Sequence, residues 1–312
     1  MSSVITVVLP VFALIAIGWT AGRYKYFAGD AVKSINDYTF YLAVPAFLFR
    51  TMAKVELTEV PVNMWLAFFG AAATTWIIAT VLVARLLGRP AVDAPSIAMS
   101  SCFGNVVMLG IPISVAAFGE AAGGPAAMLV SLHTPMLFLV GTLHQTMVAE
   151  NGKRTLAGIC RELGAELIRN PIILAIIAGT LWRFTGLGLH PAIDRVLLLL
   201  GQSSVATALV GLGLSLVNFE IKGQVPTLST ILALKLVVMP SLAWMLAIHV
   251  LGLAPVAAAV VVLFAAMPTG ANAYVFAGRD GRGANSASGA VALGTALAVV
   301  TASIIVSALG IR

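Results

Sequence analysis

Charged side chains are scarce in this sequence. Asp, Glu, Lys and Arg together make up 10% of its 312 residues, against about 25% in an average soluble domain. With 60% of residues apolar, the composition excludes a water-soluble globule and makes the chain an integral membrane protein. Cysteine is scarce too: Cys102 lies in an apolar run and Cys160 in a connecting loop, and the pair suggests no disulfide framework. No Asp or Glu lies well inside any apolar run; Asp37 and Glu220, the nearest, sit close to run ends. Proton and sodium antiporters usually bind their ion at such a carboxylate, so an intramembrane carboxylate relay is not expected. Sodium held by Thr269, serines and backbone carbonyls stays open. There is no HExxH motif and there are no paired aspartates; Ser131 near His133 is weak ground for a catalytic dyad. No enzyme, metal site or cofactor is called for. Nothing before Val4 is charged, so the first apolar run lacks the basic n-region of a cleaved signal and is read as a helix.

What is present is a series of apolar runs, each long enough to cross about 30 Å of hydrocarbon as about 20 residues of helix. Ten can be counted, at roughly 4–22, 35–53, 62–87, 94–118, 124–148, 169–186, 193–217, 226–251, 254–277 and 284–311. With both termini outside, Arg23, Lys25, Lys33, Arg85, Arg89, Lys153, Arg154, Arg161, Arg169, Lys222, Arg279 and Arg282 are cytoplasmic. That leaves Arg50, Lys54, Arg183, Arg195 and Arg312 outside and Lys235 within the eighth run. Twelve against five follows the positive-inside rule. The net charge of +6 thus sets orientation, and no nucleic-acid partner is implied.

The polar segment 149–170 separates five runs from five. The halves read as copies: "VLPVFALIAIGWTAGR" and "RNPIILAIIAGTLWRF" open them with a similarly placed proline. Later, "LLGRPAVDAPSIAMSSCFGNVVMLGIP" parallels "HVLGLAPVAAAVVVLFAAMPTGAN". With five spans per copy the second is inverted in the membrane, a frequent build of secondary transporters. The domain reading is a first repeat over 1–148, a cytoplasmic linker over 149–168 and a second repeat over 169–312.

Runs four and nine carry "GNVVMLGIP" (104–112) and "MPTGAN" (267–272). Proline inside a helix removes one backbone bond and clashes with the carbonyl four residues back, and adjacent glycine permits unwinding. Each run is expected to split into two half-helices at Gly104, Gly110, Pro112, Pro268 and Gly270. Unwound backbone at membrane depth survives only where protein buries it or water reaches it. The two breaks are therefore expected to meet or to line a cavity. Asn105 and Asn272 suit either place, since an amide can cap a half-helix or donate to a ligand. Paired interruptions in corresponding spans are the best sequence pointer to a transporter site.

These two motifs, with ten spans and a polar loop between halves, resemble the auxin efflux carrier family, which includes plant auxin carriers and bacterial carriers of malonate-like organic acids. The resemblance covers essentially the whole chain. It implies an all-α membrane fold of ten helices in two inverted five-helix repeats, with both termini outside. Helices four and nine would be broken and cross, as in the sodium/proton antiporter and bile-acid symporter folds. A scaffold of helices 1, 2, 6 and 7 would stand beside a transport domain of helices 3–5 and 8–10 that moves like an elevator. Asn105 and Asn272 match the family's crossover asparagines, which lie where the substrate carboxylate binds, and Pro112 and Pro268 match its prolines. The short central loop departs from the long regulatory loop of many plant carriers and leaves auxin itself in doubt.

Lys235 is the one Lys or Arg well inside a run, and a buried ammonium needs a partner. A substrate carboxylate is one; half-helix carbonyls, or snorkelling to the cytoplasm, are the others. His133 could be a proton-responsive cavity residue, but a hydrogen-bonded interior histidine is the simpler reading. Tyr274 could stack on a substrate or pack as an ordinary aromatic. Gly18 and Gly22 serve close helix packing or a dimer contact. "GRDGRG" (278–283) lacks the ending of a phosphate loop and reads as a cytoplasmic turn. The expected function is a secondary carrier of a small organic anion in the cell membrane, homodimeric through its scaffold, with Asn105, Asn272, Lys235, Thr269 and Tyr274 at the site. The alternative is a membrane sensor that keeps a carrier fold and signals ligand binding.

Overall fold

The computed structural model describes residues 2–27, 29–55, 62–148, 156–221, 224–279 and 282–309. Lys153, Arg154, Lys222 and Arg312, used above to orient the chain, lie outside these, as do residues 149–155 of the expected linker. The helices in chain order are α1 (Ser2–Arg23), α2 (Gly29–Tyr38), α3 (Val44–Lys54), α4 (Val62–Arg85), α5 (Ala94–Cys102), α6 (Ile111–Phe118), α7 (Gly123–Val148), α8 (Leu156–Leu167), α9 (Pro171–Phe184), α10 (Pro191–Leu216), α11 (Val225–Ala233), α12 (Met239–Trp244), α13 (Pro255–Ala265), α14 (Ala271–Arg279) and α15 (Ala284–Leu309). Among the described residues, extended pairing is confined to one isolated bridge. Five helical stretches among the described residues are long and apolar enough to cross a membrane: Val62–Arg85, Val106–Val148, Pro191–Leu216, Val225–Val250 and Ala284–Leu309. Shorter apolar helices run over Val7–Arg23, Pro171–Phe184 and Pro255–Ala265. The helix α8 occupies much of the segment that the sequence suggested was a plain polar linker.

Proline shapes these helices in a repeated way. Wide π turns span Thr39–Ala43, Val106–Gly110 and Leu234–Val238. Each ends two residues before a proline, namely Pro45, Pro112 and Pro240. The carbonyl four residues back from each proline, on Tyr41, Met108 and Leu236, is the middle of its π turn. Widening there relieves the clash between the proline ring and that carbonyl. Gly110 and Pro112 accordingly lie in a helix that continues, and the chain leaves helical geometry further upstream, over 103–105.

The chain forms two compact units. The first comprises Met1–Val60, Val107–Ser131 and Ala165–Asn218. In it α1 lies on α10 so closely that a Cβ on Gly18 would clash with the Val210 carbonyl oxygen, and one on Gly213 with that of Ile15. The Gly18 position thus serves packing within the chain. Arg50 of α3 pairs with Asp194 of α10 at 2.7 Å, joined by Lys54 at 3.0 Å. Exposed Leu174, Ile177 and Leu181 on α9 and Val196 and Leu199 on α10 are the apolar faces that a bilayer covers.

The second unit comprises Pro61–Val106, Leu132–Gly164 and Phe219–Arg312. Its centre is α13, buried on every side from Ala258 to Ala265, as expected of a helix that is apolar all round. All nine residues of α5 are buried as well. Beside them Val83, Ile97, Leu228, Ile231, Leu236 and Ala290 form part of a core shared by α4, α5, α11, its π extension and α15. At one end Asp93, 5% exposed, accepts from Arg89 at 3.0 Å and pairs with Arg282 at 3.4 Å. Both arginines were assigned to the cytoplasmic side.

Candidate functional site

Both helix breaks fall in the second unit and meet there. At 1.5 Å per residue, α5 with 9 residues and α13 with 11 are about 14 and 16 Å long, half the thickness of a bilayer core. Past their ends the chain is extended, and Gly104 and Thr269 face each other as an antiparallel bridge. The Asn105 N–H donates to the Pro268 carbonyl at 2.8 Å and the Gly270 N–H to the Phe103 carbonyl at 2.9 Å. The two breaks thereby satisfy groups that lipid could not. Such closeness favours glycine. A Cβ on Gly270 would stand 3.1 Å from the Gly104 oxygen and the Phe103 ring, and one on Gly104 3.2 Å from Lys235 Nζ and the Phe264 oxygen.

Each half-helix that ends at the crossover leaves last-turn carbonyls without helical partners. For α5 one is satisfied by the Thr269 hydroxyl, which donates to the Ser100 carbonyl at 2.8 Å. For α13 it is the Lys235 ammonium, which donates to the Ala265 carbonyl at 2.8 Å and contacts Met239 Sδ at 3.2 Å. A cation at the negative end of a helix dipole is favourably placed, and this contact offsets part of the cost of burying Lys235, which has no carboxylate partner among the described residues.

Of the five residues expected to hold the substrate, all lie in this unit, and they divide by accessibility. Thr269 and Lys235 are buried, 1% and 0% exposed, with their polar atoms engaged by carbonyls. Of the readings open for Lys235, half-helix capping is the one observed. Asn105 is half-buried and Asn272 exposed, and neither amide has a hydrogen-bond partner among the described residues. The amides therefore do not cap the broken helices. Asn272 is the second residue of α14, where the positive end of the helix dipole lies. Tyr274, 41% exposed, sits two residues on, its ring edge-on to Phe219 at 5.6 Å.

Phe103 was not foreseen. Its ring packs on His133 at 4.5 Å between centroids and on Phe138 at 5.8 Å, while its carbonyl accepts the bridge hydrogen bond. Its position next to Gly104 was the only sequence signal. His133 corrects an expectation: it is interior, 1% exposed, but both ring nitrogens lack a hydrogen-bond partner among the described residues. An unmade buried hydrogen bond costs about 1–3 kcal/mol, so such a group calls for an explanation.

Two broken, half-length helices meet inside an apolar bundle, and the chain belongs to the protein family described as "Membrane transport protein", which it matches over residues 3–306. This is the family reached above by resemblance to the auxin efflux carriers, and it makes the chain a multi-pass membrane transporter rather than an enzyme. The chain is similar to a Rhizobium meliloti (strain 1021) protein named "Putative malonate transporter", with 27% identity over 307 residues, covering 96% of this chain and 94% of that one.

Proposed function

We propose that the protein is a secondary carrier of a small carboxylate, malonate or a close relative, in the cell membrane. The observation that carries this reading is the pair of unpartnered amides, Asn105 and Asn272, flanking a backbone bridge between two broken helices. A carboxylate seated there accepts hydrogen bonds from both amides and from the first N–H groups of α14, where no described side chain caps the helix. Charge-assisted bonds of this kind are the strong ones. Lys235 adds positive potential from behind the break without touching the substrate. The name of the Rhizobium meliloti protein supports a short dicarboxylate as the ligand to try first.

Transport follows as an elevator: the unit holding the crossover carries the site across the membrane against a scaffold through which two copies of the chain associate. Ten spans in two inverted repeats supply the frame. In support, each half of the chain has its break in the fourth apolar run, over 103–105 and 266–270. The test is counterflow of radiolabelled malonate into proteoliposomes, after a thermal-shift screen of mono- and dicarboxylates. At malonate concentrations near the wild-type dissociation constant, exchange of label is expected from the wild type and is expected to be lost or strongly reduced in Asn105→Ala and Asn272→Ala, each of which should remain folded in the membrane. Normal exchange by both variants would sink the site, and stabilisation by amines alone would sink the anion reading.

A further inference from the structure

We propose that His133 is the proton-binding group of this carrier, taking up one proton together with the carboxylate and releasing it with the substrate on the other side. The proposal rests on the carrier reading above and adds its driving ion. An imidazole always has at least one N–H to donate, yet His133 is buried with both ring nitrogens unpartnered. Its close neighbours are rings, Phe103 from the break and Phe68 from α4 at 5.7 Å, which hold the imidazole in place and bond to neither nitrogen. His133 and Lys235 flank consecutive residues of the break. Phe103 packs on the imidazole, and Gly104 lies against the Lys235 ammonium, whose Nζ would be 3.2 Å from a Cβ there.

The charges around the ring can be named. The charged group on the other side of the Phe103–Gly104 pair is Lys235, and the thiol of Cys102, which precedes that pair, donates to the Ala72 carbonyl at 3.4 Å. The sequences of α4, α5, α7, α11, α12 and the break contain no Asp or Glu. An imidazolium therefore has no resident counter-ion and stands against a second cation. The state that carries both charges forms when a carboxylate occupies the break and balances them. Proton and substrate thus bind together, and each raises the other's affinity by the same factor. The step makes and breaks one N–H bond; the proton comes from water on the loading side and returns to water on the unloading side. A histidine performs here what a membrane carboxylate performs in other carriers.

Proteoliposomes separate exchange from coupling. Counterflow of labelled malonate, or another short carboxylate, at equal pH on both sides reads exchange. Net uptake under an inward proton gradient, with the membrane potential held at zero, reads coupling. The wild type is expected to accumulate label about tenfold per pH unit for one proton per substrate. His133→Gln should still exchange label at saturating malonate, with a weaker apparent affinity, and should lose accumulation. Accumulation by His133→Gln equal to wild type, or wild-type accumulation that ignores the gradient, overturns the proton site and leaves the carrier standing. Absence of counterflow of any carboxylate by the wild type overturns the carrier reading and the proton site with it. If His133→Gln does not fold, calorimetry of malonate binding to the wild type in buffers of different ionisation enthalpy decides: one proton taken up is expected, and none overturns the proposal.

Discussion

Replacing Asn272 by alanine separates binding from stability. The amide makes no hydrogen bond to any described residue and its side chain is exposed. Its removal therefore leaves no protein group unsatisfied and opens no cavity. Exposed substitutions of this kind change stability by no more than about 0.5 kcal/mol, so the melting temperature in detergent should stay within a few degrees of wild type. A hydrogen bond from a neutral amide to a carboxylate is worth about 1.5–3 kcal/mol, and 1.36 kcal/mol is a factor of ten. The dissociation constant for malonate should rise between about tenfold and a hundredfold. Asn105→Ala should do the same, and the double variant should lose measurable binding. The assay is isothermal titration calorimetry beside a thermal melt on the same preparation. Unchanged affinity in both single variants, or a large drop in melting temperature with affinity preserved, would refute the reasoning. The first outcome means the amides do not meet the ligand, and the second that they are structural.

The neighbouring Thr269 should behave in the opposite sense: Thr269→Val removes the donor to the Ser100 carbonyl and should cost about 1–3 kcal/mol of stability, seen as a lower melting temperature, while malonate affinity falls by less than threefold. Asp93→Asn takes a buried charge from between Arg89 and Arg282 and should destabilise by up to about 3 kcal/mol. Hydrogen exchange should then rise at the start of α5 and at Arg282 and Gly283, and unchanged exchange there would refute a structural role for the pair.

How much of this was legible beforehand varies with the range of the interaction. The membrane setting and the position of the breaks follow from local chemistry, because proline and glycine act within a turn of themselves. The finer location of the first break does not. Pro112 deforms its helix through a π turn centred on Met108 and leaves it continuous, while the chain opens at Phe103, Gly104 and Asn105, where the partner segment pulls the backbone into a bridge. The partner of Lys235 is 30 residues away and that of Thr269 is 169 residues away. Neither could be read from its own surroundings, although the need of an intramembrane ammonium for some partner could. His133 went against expectation for a related reason. The usual rule that buried polar groups are satisfied is a statement about stability, and a group kept unsatisfied for a ligand or a proton does not obey it.

The bridge between the two breaks consists of backbone donors and acceptors only. Its geometry is therefore indifferent to most side chains around it, apart from the two glycines that let the strands approach. With the ligand held by the two amides, as proposed above, ligand preference and architecture are written in different atoms. On the proposed reading, an engineer who wishes to redirect the protein toward a longer or less charged acid can vary Asn272, whose amide bonds to no other described group, while the hydrogen-bonded frame beneath it stays as it is.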